Sequence, residues 1–379
     1  MPDCCDVSVV SCHDYTPSQC KAALIDVLNP FGGLDWVTPG MRIAIKANLV
    51  VSKGPDAAAT THPTLVAELC RMLTERGALV VVGDSPGGAY ALPFLSIIYA
   101  ATGMAEAERA GASLNRDFSQ TSVELPDARI AKQAQFTSYL LKADAIIDFC
   151  KIKTHGMMAL SGATKNMFGA VPGFLKPEYH MQYPNHADFA DALVDIVHYL
   201  APRLCIADAV VGMEGNGPTA GKPRHIGALL ASHSPHALDL AAAHMLGLEL
   251  EDVPTLIAAY RRGLIPDSYE KLNIAGELAK FIIPDFELIE MKDVTHFSDS
   301  GTLRDIIGRI FNHQPRVDKL ICVGCGECAH ICPAKAITIS NSLPNIDRDK
   351  CIRCFCCQEF CRFGAMKVYR PVAARLLNK

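Results

Sequence analysis

Long hydrophobic runs are missing from this chain of 379 residues. No stretch reaches the roughly 18 uninterrupted apolar residues that a membrane helix needs, so a helical membrane span is not expected. The N-terminus, MPDCCDVSVV, lacks the basic and apolar regions of a signal peptide, and the cytoplasm is the default compartment. Charge is also modest, 20% of residues against 50% apolar, which places the chain among ordinary globular proteins with a large core. Its basic residues show no aromatic interleaving, which argues against nucleic-acid binding. Nucleotide motifs are missing too: GDSPGG (83–88) lacks the G-x-G-x-x-G spacing and any P-loop lysine, and it reads as a tight turn. His225, His233, His236 and His244 lack zinc spacing and read as structural.

Cysteine, by contrast, is abundant. Of 16 cysteines, eight repeat one spacing near the C-terminus: Cys322, Cys325, Cys328, Cys332, then Cys351, Cys354, Cys357, Cys361. Each copy is C-x2-C-x2-C-x3-C, the pattern of a two-cluster iron–sulfur module in which three thiolates grip one cube and the fourth crosses to the other. Cys322, Cys325 and Cys328 with Cys361 are thus expected to hold one 4Fe-4S cluster, and Cys351, Cys354 and Cys357 with Cys332 the second. Gly324 and Gly326 let the backbone approach the cube. Zinc sites use two pairs of ligands, not an evenly stepped triplet plus one. Cys356 is out of register and reads as a non-ligand. Arg362 stands where the first copy has Pro333 and reads as a surface charge. Cys4, Cys5, Cys12, Cys20, Cys70, Cys150 and Cys205 are scattered, which suits reduced thiols in an anaerobic cytosol. From Arg316 to Lys379 there are 11 Lys and Arg against 5 Asp and Glu, so the module is basic and the remainder acidic. Opposite signs favour their association.

Residues 1–315 alternate short apolar runs with amphipathic helical segments. VSVV (7–10), RIAIK (42–46), ALVVVG (78–83), AIIDF (145–149), RLCIA (203–207) and GALLA (227–231) read as strands, TLVAELCRMLTERG and HADFADALVDIVHYL as helices. The expected fold is α/β, a mostly parallel sheet with helices on both faces, followed by a small α+β ferredoxin-like module at 316–370 and a tail at 371–379. The stretch His296 to Pro315 reads as a connector.

Ligands in open α/β sheets sit beyond the carboxyl ends of strands, and polar residues collect there. Lys46 and Asn48 follow one strand. Lys151, Lys153 and His155 alternate after another, so they are expected on one face as a cationic ledge. In SGATKNMFG, Ser161 is positioned to cap a helix whose amides, with Lys165, would bind an anion. Asp208, Glu214 and Asn216 in DAVVGMEGNGPTAG offer oxygen ligands for a divalent cation or a substrate hydroxyl. His62 and His180 are single histidines able to serve as acid or base.

The series IKANLV, THPTLV, GDSPGG, KIKTH, SGATKNMFGAVPG and DAVVGMEGNGPTAG, closing with a twin-cluster module that contains CIRCFCC, resembles the family called domain of unknown function 362. The resemblance spans nearly the whole chain. It implies an α/β body joined to a bacterial-type ferredoxin module, and no settled reaction. The residues themselves point to an iron–sulfur oxidoreductase, in which the module passes single low-potential electrons from a donor protein to an anionic small molecule. Lys46, Lys153 and Lys165 would hold the anion, Asp208 and Glu214 would place a metal or hydroxyl, and His155 or His62 would supply protons. Two alternatives stay open: an electron carrier whose body docks protein partners, and a non-redox enzyme with structural or sensory clusters.

Overall fold

In a computed structural model, residues 5–289 and 313–369 are described. Residues 5–289 hold eleven strands: β1 Val7–Ser11, β2 Arg42–Ala47, β3 Leu79–Gly83, β4 Ser113–Leu114, β5 Gln120–Glu124, β6 Gln133–Thr137, β7 Ala145–His155, β8 Ala159–Ser161, β9 Leu204–Glu214, β10 Lys222–Ser232 and β11 Ile274–Ala275. Nine of them form one mixed sheet in the order β11-β1-β10-β9-β7-β2-β3-β4, with β8 folded back on β7. The run β9, β7, β2, β3, β4 is parallel, while β10 is antiparallel to both β9 and β1. The parallel half follows from strands that alternate with helices, since each crossover must return the chain to the same end of the sheet.

Helices cover both faces. Ile43, Ile45, Val80 and Val82 point to one side, beneath helices Pro17–Leu28, Pro63–Glu75 and Leu92–Thr102. Ala44 and Ile146 point to the other, beneath Phe189, Leu193 and Val197 of helix His186–Leu200. This is the period-two alternation of a strand buried on both faces. Each fully buried side chain of that size contributes about 1.5–3 kcal/mol. Helix His186–Leu200 starts where the Asn185 side chain accepts from the Asp188 amide, and it stops at Ala201, which is left-handed just before Pro202. β7, β9 and β10 each run to eleven residues, longer than their apolar runs suggested: buried polar residues carry β7 and β9 past their apolar parts, whereas a largely exposed run at 222–225 lengthens β10 at its start. In β7 that extension carries Lys151, Lys153 and His155 towards the carboxyl end of the sheet.

After the described break come β12 Gln314–Val317, β13 Ile337–Ser340, β14 Leu343–Ile346 and β15 Met366–Tyr369, paired as β12 with β15 and β13 with β14. Two single-turn helices, Glu327–His330 and Cys356–Glu359, complete two similar halves. Phe355 buries its ring in the body's core with Phe168 and Phe189. The connector read at 296–315 lies outside the described residues as far as 312, as does the tail from 371. Among the described residues no helix is long and apolar enough to cross a membrane.

Candidate functional site

At the carboxyl ends of β2, β3 and β7 the sheet opens into a small cleft. Lys46, the last side chain but one of β2, is fully buried and donates to Ala47 O (2.7 Å) and Asn166 Oδ1 (3.1 Å) while pairing with Asp84 Oδ1 at 2.8 Å. All three of its protons are used, so Lys46 is a fixed support. Gly169 is glycine because a Cβ there would collide with both Asp84 and Lys46. Asn166 ties the floor together, accepting from Asn48 Nδ2 (3.0 Å) and donating to Lys46 O (3.0 Å) and Asp148 Oδ1 (2.6 Å). Burial raises the Asp148 carboxyl well above its ordinary value.

Three further lysines face the cleft. Lys153 Nζ donates to Asn48 Oδ1 (2.9 Å) and Ala59 O (2.5 Å), and Lys176 Nζ donates to Ser85 O (2.6 Å) and Val171 O. Each ammonium has one proton left over. Burial pushes both down to about 7. Lys165 makes no hydrogen bond among the described residues; its ammonium lies 4.8 Å from the centre of the Phe168 ring. His155 completes the wall. Its Nδ1 accepts from the amides of Met157 (3.0 Å) and Met158 (3.2 Å), so the proton of the neutral ring sits on Nε2, which has no hydrogen-bond partner. Burial, reinforced by Lys165, lowers His155 to about 4 and His180 to about 3, so both are neutral near pH 7. His180 stacks on Phe189 at 4.2 Å, behind Lys165.

The last wall comes from the cysteine module. Glu359, between Cys357 and Cys361 in the sequence, lines the same cleft with its carboxylate 3.8 Å from His155 Nε2. Lys165 and His155 hold it well below the usual carboxylate range, against the opposing effect of burial. Its neighbours anchor it. Gln358 Nε2 donates to Gly217 O (2.6 Å) and Asn216 O (3.1 Å), Thr219 Oγ1 donates to Glu359 O (3.2 Å), and the Phe360 ring lies where any Cβ on Gly87 would stand.

Cys322, Cys325, Cys328 and Cys361 line one cavity, whose wall includes Phe360. Cys351, Cys354, Cys357 and Cys332 are near enough to act on one another's ionisation. Among the described residues no three thiols converge closely enough to hold a single ion. Cys356 is fully buried, packed with Ile331 and hydrogen-bonded to Cys354, away from that cavity. Arg362 is exposed, over the ring of Phe363.

Several expectations are corrected. The three-residue ledge is broken: a register shift between Lys151 and Lys153 leaves Lys151 in a buried ion pair with Asp208 (2.8 Å), completed by Tyr15, so only Lys153 and His155 reach the cleft. Ser161 does not cap the helix Ala163–Asn166; its first amides are taken by the Asp239 carboxylate and offer nothing to an anion. His62 caps helix Pro63–Glu75 and stacks on Tyr15 at 3.5 Å, outside the cleft. Asp208, Glu214 and Asn216 form no cation site: Asp208 is taken by Lys151, Glu214 accepts from the Glu287 amide, and Asn216 Oδ1 accepts from Val368 N and Gln358 Nε2. No group of three or more His, Cys, Asp or Glu among the described residues could hold such an ion. Lys176, Asn166, Ser85 and Glu359 were missed. The first three carry no local signal, and Glu359 reaches the cleft only through docking of a segment almost 200 residues further along the chain.

The family described as "Domain of unknown function (DUF362)" matches residues 43–244, more than half of the chain. The chain belongs to the DUF362 family. In DUF362 terms, the matched region holds every body residue of the cleft. A 4Fe-4S dicluster domain matches residues 314–362, so this DUF362 protein carries a two-cluster iron–sulfur module. Among curated relatives, the thylakoid-associated protein sll1697 of Synechocystis sp. is 30% identical over 293 residues, 75% of this chain and 88% of that protein. Among solved structures, the lactate racemase apoprotein from Thermoanaerobacterium thermosaccharolyticum aligns over 62% of this chain and 56% of its own, at 12% identity and a TM-score of 0.39, too low to carry an argument.

Proposed function

We propose that this DUF362 protein is an iron–sulfur oxidoreductase that reduces a small anion bound in the cleft between body and module. One observation carries the reading: Glu359, set between a ligand of each cluster, is itself a wall of the lysine-lined cleft. Consecutive Cα atoms are about 3.8 Å apart, so Cys357 and Cys361 lie within roughly 8 Å of Glu359 along the backbone. When bound, the clusters supply single low-potential electrons. The rest falls to the chain's own residues. Lys165 attracts the anion, Lys153 and Lys176 each offer one proton near neutral pH, and the neutral His155 points its Nε2–H at charge developing on the bound molecule. The buried floor of Lys46, Asn48 and Asn166 lowers the local dielectric, which strengthens each of these interactions.

The test is anaerobic reconstitution, reduction with dithionite, and a screen of small anions for reoxidation of the visible spectrum. Turnover by one chemical class, lost by about 100-fold in Lys165→Ala at unchanged iron content, is the expected result. If no small molecule accepts electrons but a redox protein does, the chain is a carrier.

A further inference from the structure

The cleft already holds a carboxylate that belongs to the protein. The Glu359 side chain is half-buried, 16% exposed, and its carboxylate stands 3.8 Å from His155 Nε2 in the cleft that Lys165 also lines. The other acid of the cleft, Asp84, is consumed by Lys46 (2.8 Å) and the Leu49 amide (2.7 Å). Lys165 and His155 Nε2 make no hydrogen bond among the described residues, so beside the single spare protons of Lys153 and Lys176 they are the freest donors for an incoming anion, and Glu359, 3.8 Å from His155 Nε2, lines the same cleft. The flat ring of Phe168 beneath the Lys165 ammonium completes the seat.

We infer that Lys165 and His155 form a carboxylate-binding site in which Glu359 is the resident occupant, so a substrate carboxylate enters by displacing it. This rests on the oxidoreductase reading for its purpose, though not for its geometry. The substrate class follows from the occupant: a small carboxylate whose end matches that of a glutamate side chain. Displacement couples substrate entry to the module, because Glu359 closes the helix Cys356–Glu359 that carries Cys357. The anchors at Gln358, Asn216 and Gly217 do not involve the carboxylate, so the module stays docked while the side chain swings.

The sign of the test is unusual, since removing a charged residue from the site should tighten binding. Reconstituted wild type, Glu359→Ala and Glu359→Gln are titrated calorimetrically with propionate, the counterpart of the glutamate side chain, and with inorganic phosphate. Propionate is expected to bind Glu359→Ala about tenfold or more tighter than wild type, with Glu359→Gln intermediate, because a like-charged competitor has gone. Adding Lys165→Ala should cancel the gain. Matched iron content and circular dichroism establish that each variant is folded, and Glu359→Gln serves if the alanine variant is not. Unchanged or weaker propionate binding in both variants overturns the inference, and so does an equal gain for phosphate. The two readings fail separately: reoxidation by a small anion without the propionate gain removes the displacement and leaves the oxidoreductase, and the converse leaves the site and removes the reaction.

Discussion

Lys153 and Lys176 show how burial, more than partnership, sets the working range of a residue. Each ammonium has two acceptors and each is still pushed down to about 7 from an ordinary 10.5. Desolvation outweighs the nearby acids because no carboxylate touches either nitrogen. Anion binding favours the charged form, so it takes up protons above pH 7. Affinity is then expected to be flat below pH 7 and to fall above it, by up to about tenfold per pH unit for each proton taken up. Titration calorimetry across pH 6–9 measures this, and the slope should flatten in Lys153→Met. The sign for folding is opposite: between about 7 and 10.5 the unfolded chain binds more protons than the native one, so these lysines make stability rise with pH in that window. A slope identical in wild type and Lys153→Met would show that Lys153 does not face the ligand.

At the scale of elements, the sheet was legible because its signals are local. Apolar runs such as RIAIK and AIIDF became β2 and β7, and polar residues collected at strand ends, where a ligand site is expected. Which polar residues face the cleft was not legible. One register shift separates Lys151 from Lys153, and a backbone irregularity has no signature in residue alternation. The SGATKNMFG segment was read as a site, rightly for Lys165, but its helix start is satisfied by Asp239 from a helix more than 70 residues later. GDSPGG was read as a bare turn, yet its Gly87 is the seat of Phe360. Gly87→Val should therefore lift Phe360 and part module from body, exposing the cleft. Hydrogen exchange of the helix Cys356–Glu359 should rise while iron content holds, and unchanged protection would show that Phe360 is not the latch. In the module, the cysteine register makes a prediction: Cys354→Ser should lose or degrade one cluster, while Cys356→Ser should leave iron content and the visible spectrum nearly intact. Equal damage from both would overturn the ligand assignment.

Across the whole molecule, the two parts differ in what holds them together. The body has a nine-stranded sheet with apolar clusters on both faces. The module has two two-stranded sheets, two single-turn helices and small apolar clusters built largely around cysteines. Paired strands of that size are marginal alone, so metal binding must supply much of the module's folding energy. Eight irons and eight sulfides, about, are expected per chain after anaerobic reconstitution. Stripping them with a chelator should unfold the module and leave the body folded, seen as loss of amide-exchange protection in the module while the body's sheet keeps its own. The consequence reaches the cleft, because Glu359 and its anchors at Gln358 and Phe360 leave with the module. The apoprotein's cleft thus keeps Lys165 and His155 but loses their resident carboxylate, and it should bind propionate more tightly than the holoprotein while being unable to reduce anything. Weaker propionate binding in a demonstrably folded apo body would mean that the module builds the anion site, not that it competes for it.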